Sequence, residues 1–397
     1  MLTLEKVYHA REVVSKVIRN TNLIPTTMRR DCKVYVKPEN LQVTGSFKIR
    51  GAYYKMMQLT EEERQKGVIA CSAGNHAQGV ALAGKKAGVK TLICLPAGAP
   101  IAKVEATKNY GAEVCMVEGV YDDAYNKAIE LQQQHGYTFV HPFNDVDVIA
   151  GQGTIGLELL DQLPEVDVVI VPIGGGGLIS GVAYALKQLK PSVKVYGVQS
   201  QGAPSMYNSI AHNQIEKLPS VSTIADGIAV KQPGDLTFDL CQKYVDGIVT
   251  VTDTEVASAI VYLAERYKLV AEGAGAVSVA AMMHGKIEVE SGKNVICVVS
   301  GGNIDINILS RVINSGLRSF GRTCKIKLEL LDTPGELHKV TKVCADLGAN
   351  ILSVHHERAG ESNRVNGCHL KLLLETRNFA HIEEIENAFT NLGYKLI

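Results

Sequence analysis

A chain of 397 residues is longer than one hydrophobic core usually serves, so two or three domains are expected. Lysine plus arginine balance aspartate plus glutamate at 41 each, and neither sign forms a long block, which leaves no electrostatic footprint for nucleic acid or an anionic membrane. The opening residues MLTLEKVYHAREVV carry charges throughout, and no later stretch approaches the ~18 uninterrupted apolar residues of a membrane span, so a soluble, cytoplasmic protein directed at small molecules is expected.

From about residue 30 to 320 one theme recurs: a short β-branched run, a glycine-containing turn, then an amphipathic helical stretch, as parallel α/β construction requires. KVYVKP, GVIACSAGN, TLICLPAG, AEVCMVEG, VDVVIVPIGGGG, VKVYGVQS, GIVTVTD and NVICVVSGGN are such runs. The nine cysteines lie mostly inside such apolar runs and form no CxxC pair, as fits buried, reduced thiols. Ligands of open parallel sheets bind beyond the carboxyl ends of the strands, so the turns after these runs are the places to search.

Four turns carry chemistry. In GSFKIRGAYYKM, Ser46 reads as the cap of a helix whose first residues include Phe47 and Lys48. A lysine there is ordinarily surface charge; its company gives it weight. In CSAGNHAQGVALAG, Ser72, Ala73, Gly74 and Asn75 stand between a strand and a helix entered near His76, so free N–H groups at the helix start suit a carboxylate. In PIGGGGLISGVAYAL, Gly174, Gly175, Gly176 and Gly177 let successive amides surround one phosphate without Cβ interference. No Lys-Ser/Thr pair follows and no acidic residue closes a strand at the dinucleotide distance, so a single phosphate fits better than a nucleotide. In NVICVVSGGNID, Ser300 offers a hydroxyl at a strand's carboxyl end.

INSGLRSFGRTCK reads as a connecting segment. Beyond it KIKLELLDTPGELHKVTKVCADLGANILSVHHER, NGCHLKLLLETRN and HIEEIENAFTNLGYKLI predict strand, helix, strand, strand, helix and a short last strand, a separate α+β module over 325–397.

SFKIRGA, SAGNHAQG, GGGG and SGGN, in this order, resemble the fold-type II pyridoxal-phosphate enzymes, and among them the threonine dehydratases (threonine ammonia-lyases). The resemblance implies two open α/β subdomains within residues 1–320, the segment from roughly 45 to 145 being inserted between the other α/β parts. It implies that Lys48 holds the pyridoxal 5'-phosphate, Phe47 lies beside its ring, Asn75 meets its 3'-oxygen, Gly174 to Gly177 cradle its phosphate and Ser300 faces its pyridine nitrogen. It further implies β-elimination from L-threonine to 2-oxobutanoate and ammonia, and from L-serine to pyruvate, with the substrate carboxylate on Ser72, Ala73, Gly74 and Asn75. Asn144 in HPFNDVDVIAGQGT and Glu272 in AEGAGA lie in segments that line the cleft in relatives. Serine racemases, which are similar, carry an acid/base serine at the place of Ala73 and carboxylates near those of Gln199 and Ser205. No divalent-metal site is therefore expected here.

The tail, with LDTPGEL and LGANILSV, resembles an ACT domain, which implies a βαββαβ unit sensing an amino acid such as isoleucine or valine near Gly348, Ala349 and Asn350, and a homodimer or homotetramer. The alternatives are a serine dehydratase or racemase, or another fold-type II β-replacement enzyme.

Overall fold

Strands covered on both faces need continuous apolar runs, and VVIVP at Val168–Pro172 and NVICVV at Asn294–Val299 supply them at the centre of a six-stranded sheet. The computed structural model describes residues 1–358 and 367–397 and divides into two units, Met1–Leu309 and Ser310–Ile397.

In the first unit the large sheet runs, in spatial order, Ile24–Thr26, Lys33–Pro38, Asn294–Val299, Val168–Pro172, Lys194–Ser200 and Gly247–Val251. Every neighbouring pair is parallel except the first. Val169, Val171, Ile296 and Val298 share a buried cluster with Leu178, Ile179, Val182 and Leu186 of the helix Gly177–Leu189. Each such side chain contributes roughly 1.5–3 kcal/mol on burial. A second, four-stranded parallel sheet is ordered Glu113–Val117, Thr91–Pro96, Val68–Cys71 and Thr138–Phe139. It lies in sequence between two strands of the large sheet, so the first unit comprises two open α/β subdomains.

The lysine-bearing helix Lys48–Met57 and the helix Val146–Gln162 join these layers. They cross at glycine, where a Cβ on Gly151 would overlap the backbone of Gly51, and the helix Val146–Gln162 meets the helix Gly177–Leu189 in the same way, a Cβ on Gly181 overlapping the backbone of Gly153. Below the crossing lies a buried ionic cluster. Arg50 donates to both Glu39 oxygens at 2.8 Å and to Glu158 at 2.6 and 3.0 Å, and Lys37 donates to Glu158 at 2.6 Å.

Ser46 does not cap the lysine helix as expected. The Phe47 N–H bonds the Ser300 carbonyl at 3.1 Å and Ser46 forms a bridge with Gly301, so the segment is drawn onto the end of the large sheet. Asp145 does cap the helix Val146–Gln162, accepting from the N–H groups of Asp147 and Val148 at 2.8 and 3.1 Å.

The expected connector over 313–325 is also revised, because most of it continues the helix Ile306–Ser319. Ile306, Leu309, Ile313 and Leu317 recur at helical spacing, and Gly316, which costs only about 1 kcal/mol in a helix, is buried there. The second unit then follows the anticipated order: Thr323–Leu331, helix Glu336–Leu347, Asn350–Glu357, Gly367–Glu375, helix Phe379–Asn391 and Lys395–Leu396. Its antiparallel sheet is ordered Asn350–Glu357, Gly367–Glu375, Thr323–Leu331, Lys395–Leu396. It has its own core, with Leu328, Leu370, Leu374, Val340, Ile385 and Phe389 buried together.

Candidate active site

Both sheets of the first unit point carboxyl ends at one region. The large sheet delivers Gly174–Gly177 after Val168–Pro172 and Ser300 after Asn294–Val299; the small sheet delivers Ser72–Asn75 after Val68–Cys71 and His141–Asn144 after Thr138–Phe139. This is where open α/β sheets hold ligands.

Lys48 opens its helix beside these turns. The residue keeps some accessible surface, yet its amine lies deep enough that desolvation lowers its pKa to about 8, with the Glu272 charge pulling the other way. Its Nζ donates to the Pro142 carbonyl at 2.8 Å and stands 5.1 Å from the centroid of the Phe47 ring. A substantial neutral fraction of this amine at ordinary pH makes it a nucleophile and a base.

Glu272 faces the same space. Burial, reinforced by Asp226, raises its pKa to about 7, although the Asn75 amide and the cations Lys103 and Lys48 lower it. Asn75, first residue of the helix Asn75–Ala87, donates to Glu272 Oε1 at 2.5 Å and accepts from Asn303 Nδ2 at 2.8 Å. That helix has no side-chain cap. Its first N–H groups are therefore open to an anion. Ser72 Oγ accepts from the Gly74 N–H at 3.2 Å and shapes the turn. The backbone ties the two halves: Glu272 N–H to the Gly301 carbonyl at 3.1 Å, Gly302 N–H to the Gly45 carbonyl at 2.9 Å. Ser300 is buried, its hydroxyl 3.4 Å from the Ala274 carbonyl.

Gly176, with φ of 100°, precedes the uncapped helix Gly177–Leu189. Only glycine adopts that backbone freely. Thr237 Oγ1 donates to the Gly175 carbonyl at 2.6 Å and steadies the loop. A Cβ on Gly175 or Gly177 would overlap Phe143, so glycine here brings the next turn close. His141 holds that turn: Nδ1 accepts from the N–H groups of Phe143 and Asn144 at 3.2 and 2.8 Å, which leaves the ring proton on Nε2. Desolvation and the Lys48 charge lower its pKa to about 4. Asn144 donates to Asp235 at 2.6 Å, and its buried Oδ1 has no hydrogen-bond partner among the described residues. His76 is buried with Nε2 2.8 Å from the Val140 carbonyl.

Of the sequence-predicted residues, Phe47, Lys48, Asn75, Glu272 and Ser300 are linked by these contacts, and the four glycines meet Lys48 through the Pro142–Asn144 turn. Gly348, Ala349 and Asn350 belong to the second unit, at the turn between its first helix and second strand; Gly348 has φ of 75° and Asn350 donates to Glu375 at 3.1 Å. Sequence reasoning missed Pro142, Phe143, His141, Thr237 and Asn303. HPFND and SGGN contain four of them, His141, Pro142, Phe143 and Asn303, and only Asn144 and Ser300 were singled out there.

The donor set fits a phosphorylated aldehyde: a desolvated amine, an uncapped glycine-lined helix start and the fixed Asn75 amide. A family model described as pyridoxal-phosphate dependent enzyme matches residues 14–301. Over 399 aligned residues the chain is 49% identical to the L-threonine ammonia-lyase of Thermotoga maritima, covering 100% of this chain and 99% of that one. Among solved structures it is similar to the processed form of threonine deaminase isoform 2 from Solanum lycopersicum, with TM-score 0.74 and 37% identity over 79% of this chain and 93% of the other. It is similar also to maize serine racemase, with TM-score 0.75 and 36% identity over 80% of this chain and 98% of the other. The match to the family model spans both subdomains and the turns that carry Lys48, Ser72–Asn75, His141–Asn144, Gly174–Gly177 and Ser300, and on that ground the chain belongs to the pyridoxal-phosphate dependent enzymes.

Proposed function

We propose that this enzyme is a threonine ammonia-lyase, which removes water and then ammonia from L-threonine to give 2-oxobutanoate, and accepts L-serine to give pyruvate. The observation that carries the reading is the Lys48 amine, desolvated to a pKa of about 8 and set among the Phe47 ring, the Pro142 carbonyl and Glu272. Lys48 would hold the cofactor, Gly174 to Gly177 its phosphate, Asn75 its phenolic oxygen and Ser300 its pyridine nitrogen, with Phe47 beside the ring. When bound, pyridoxal phosphate supplies an electron-withdrawing ring that makes the Cα proton of the attached amino acid acidic.

Lys48 Nζ takes that proton, a task matched by a pKa near working pH. Ser72, Ala73, Gly74 and Asn75 receive the substrate carboxylate at the uncapped helix start, and Asn144 and Glu272 line the cleft. Ser300 offers a neutral hydroxyl where a carboxylate would keep the pyridine protonated, which favours elimination over transamination. Ala73 has no proton to transfer, which weighs against racemisation. Gln199 and Ser205 present an amide and a hydroxyl, poor ligands for a divalent cation.

The second unit is read as an ACT-like module that binds an amino acid such as isoleucine or valine at Gly348, Ala349 and Asn350. The enzyme is read as a cytoplasmic homodimer or homotetramer. No helix of the described residues is long and apolar enough to cross a membrane.

Purified enzyme should show a visible band from the lysine-bound cofactor and form 2-oxo acid faster from L-threonine than from L-serine, and Lys48→Ala should lose both. A band without oxo acid would favour a racemase or synthase.

A further inference from the structure

Asn303 lies outside every role assigned above, yet its side chain touches two parts of the site. Its Nδ2 stands 2.7 Å from the Thr44 carbonyl and 2.8 Å from Asn75 Oδ1. A backbone carbonyl can only accept, so the Asn303 atom facing Thr44 must be the nitrogen. That nitrogen then requires an acceptor from Asn75, which fixes the Asn75 amide with its oxygen toward Asn303 and its Nδ2 toward Glu272, 2.5 Å away. The Asn303 oxygen packs where a Cβ on Gly45 would sit, and Gly45 has φ of 69°. Gly301 leaves room for the other end, since a Cβ there would overlap Glu272 and reach 3.0 Å from Asn75 Nδ2. One amide thus pins the loop leading into Lys48 and sets which face of Asn75 is a donor.

We infer that Asn303 is a positioning residue that locks the Asn75 amide in its donor orientation toward the cofactor's anionic phenolic oxygen, an inference that rests on the proposed role of Asn75. A free Asn75 amide turned by half a rotation would present its oxygen to that anion, and repulsion would replace a charge-assisted hydrogen bond. Glu272 alone does not prevent the turn, because its carboxyl, with a pKa near 7, can donate as well as accept. Thr44, whose carbonyl cannot change character, supplies the fixed reference through Asn303.

The test uses full-length enzyme and four proteins: wild type, Asn303→Asp, Asn75→Ala and the double variant. Pyridoxal phosphate affinity is measured by fluorescence titration of the apoenzyme, and the visible band by absorption. Asn303→Asp keeps the shape but gives Asn75 and Thr44 no donor, so affinity should fall about tenfold, the size of one such hydrogen bond, and the band should shift. Asn75→Ala should weaken affinity similarly, and adding Asn303→Asp to it should have a much smaller effect on both readouts than in the wild-type background, what remains being the lost bond to Thr44. Equal circular dichroism of the apoproteins separates this from misfolding, and Asn303→Gln, which retains an amide donor, should recover part of the affinity. Unaltered affinity and band in Asn303→Asp would overturn the inference, as would an effect undiminished in the Asn75→Ala background. If Asn75→Ala alone leaves affinity and band unaltered, the Asn75 role itself is wrong and the inference falls with it.

Discussion

Lys48 and Glu272 are a base and an acid whose pKa values burial drives toward each other, to about 8 and about 7. For Glu272 the shift is upward from 4.5, so the folded apoenzyme binds its proton more tightly than the unfolded chain does. Stability from this group is complete below pH 4.5 and is lost as pH rises through 7, by about 3 kcal/mol in all. Glu272→Gln retains an oxygen to accept from Asn75 and carries no charge. Its apoenzyme should therefore gain on wild type between pH 5 and 8, in urea unfolding, by up to that amount. A constant difference across the range would show that Glu272 is not the buried acid described here. The same substitution in the loaded enzyme should slow threonine turnover, since it removes a protonatable carboxyl beside Asn75 and Lys48.

At the scale of elements, the helix that begins at Lys48 is set in place by its third residue. Arg50, Glu39, Glu158 and Lys37 tie it to the strand Lys33–Pro38 and the helix Val146–Gln162, and the first three make five hydrogen bonds of 2.6 to 3.1 Å with Thr154 included. Burial raises the Glu39 pKa, but Arg50 and Lys37 outweigh it and hold the carboxyl below 4.5, so its contribution is present above pH 4.5 and is lost as pH falls further. Arg50→Met leaves two acids near one lysine in a dry site and should cost about 3–5 kcal/mol in urea unfolding, with a partial loss of cofactor affinity as the Lys48 turn loosens. A loss below about 1 kcal/mol would mean that water reaches the cluster. Repeating strand, turn and helix were legible because period and turn chemistry are local, and SAGN and GGGG stood out as anion sites for the same reason. The groups that finish the site were not. Lys48 meets a backbone carbonyl 94 residues away, which no residue type announces, and Asn75 meets Asn303 across 228 residues. Ser46 was misread because a capping serine and a bridge-forming serine look alike in sequence. The helix Ile306–Ser319 was hidden because its last seven residues, with Gly316 and Arg318 among them, carry too little apolar periodicity by themselves to announce a helix.

Across the whole molecule, the division at Leu309/Ser310 separates the chemistry from the tail. All residues given a role in catalysis precede it, and the tail has its own buried core of Leu328, Leu370, Leu374 and Phe389 under two helices. A chain ending at Gly321 keeps the helix Ile306–Ser319 whole and ends before the first strand of the tail sheet. It should bind pyridoxal phosphate and turn over L-threonine with kcat within about threefold of the full chain, a change of about 0.7 kcal/mol in activation free energy. Isoleucine or valine should alter the activity of the full chain and leave the shortened one indifferent, because allosteric coupling requires the second site. The two readouts divide the possibilities. Retained turnover with a retained response would place the effector site in the first unit, against the reading of Gly348, Ala349 and Asn350; lost turnover with intact circular dichroism would make the tail a structural part of the catalytic assembly.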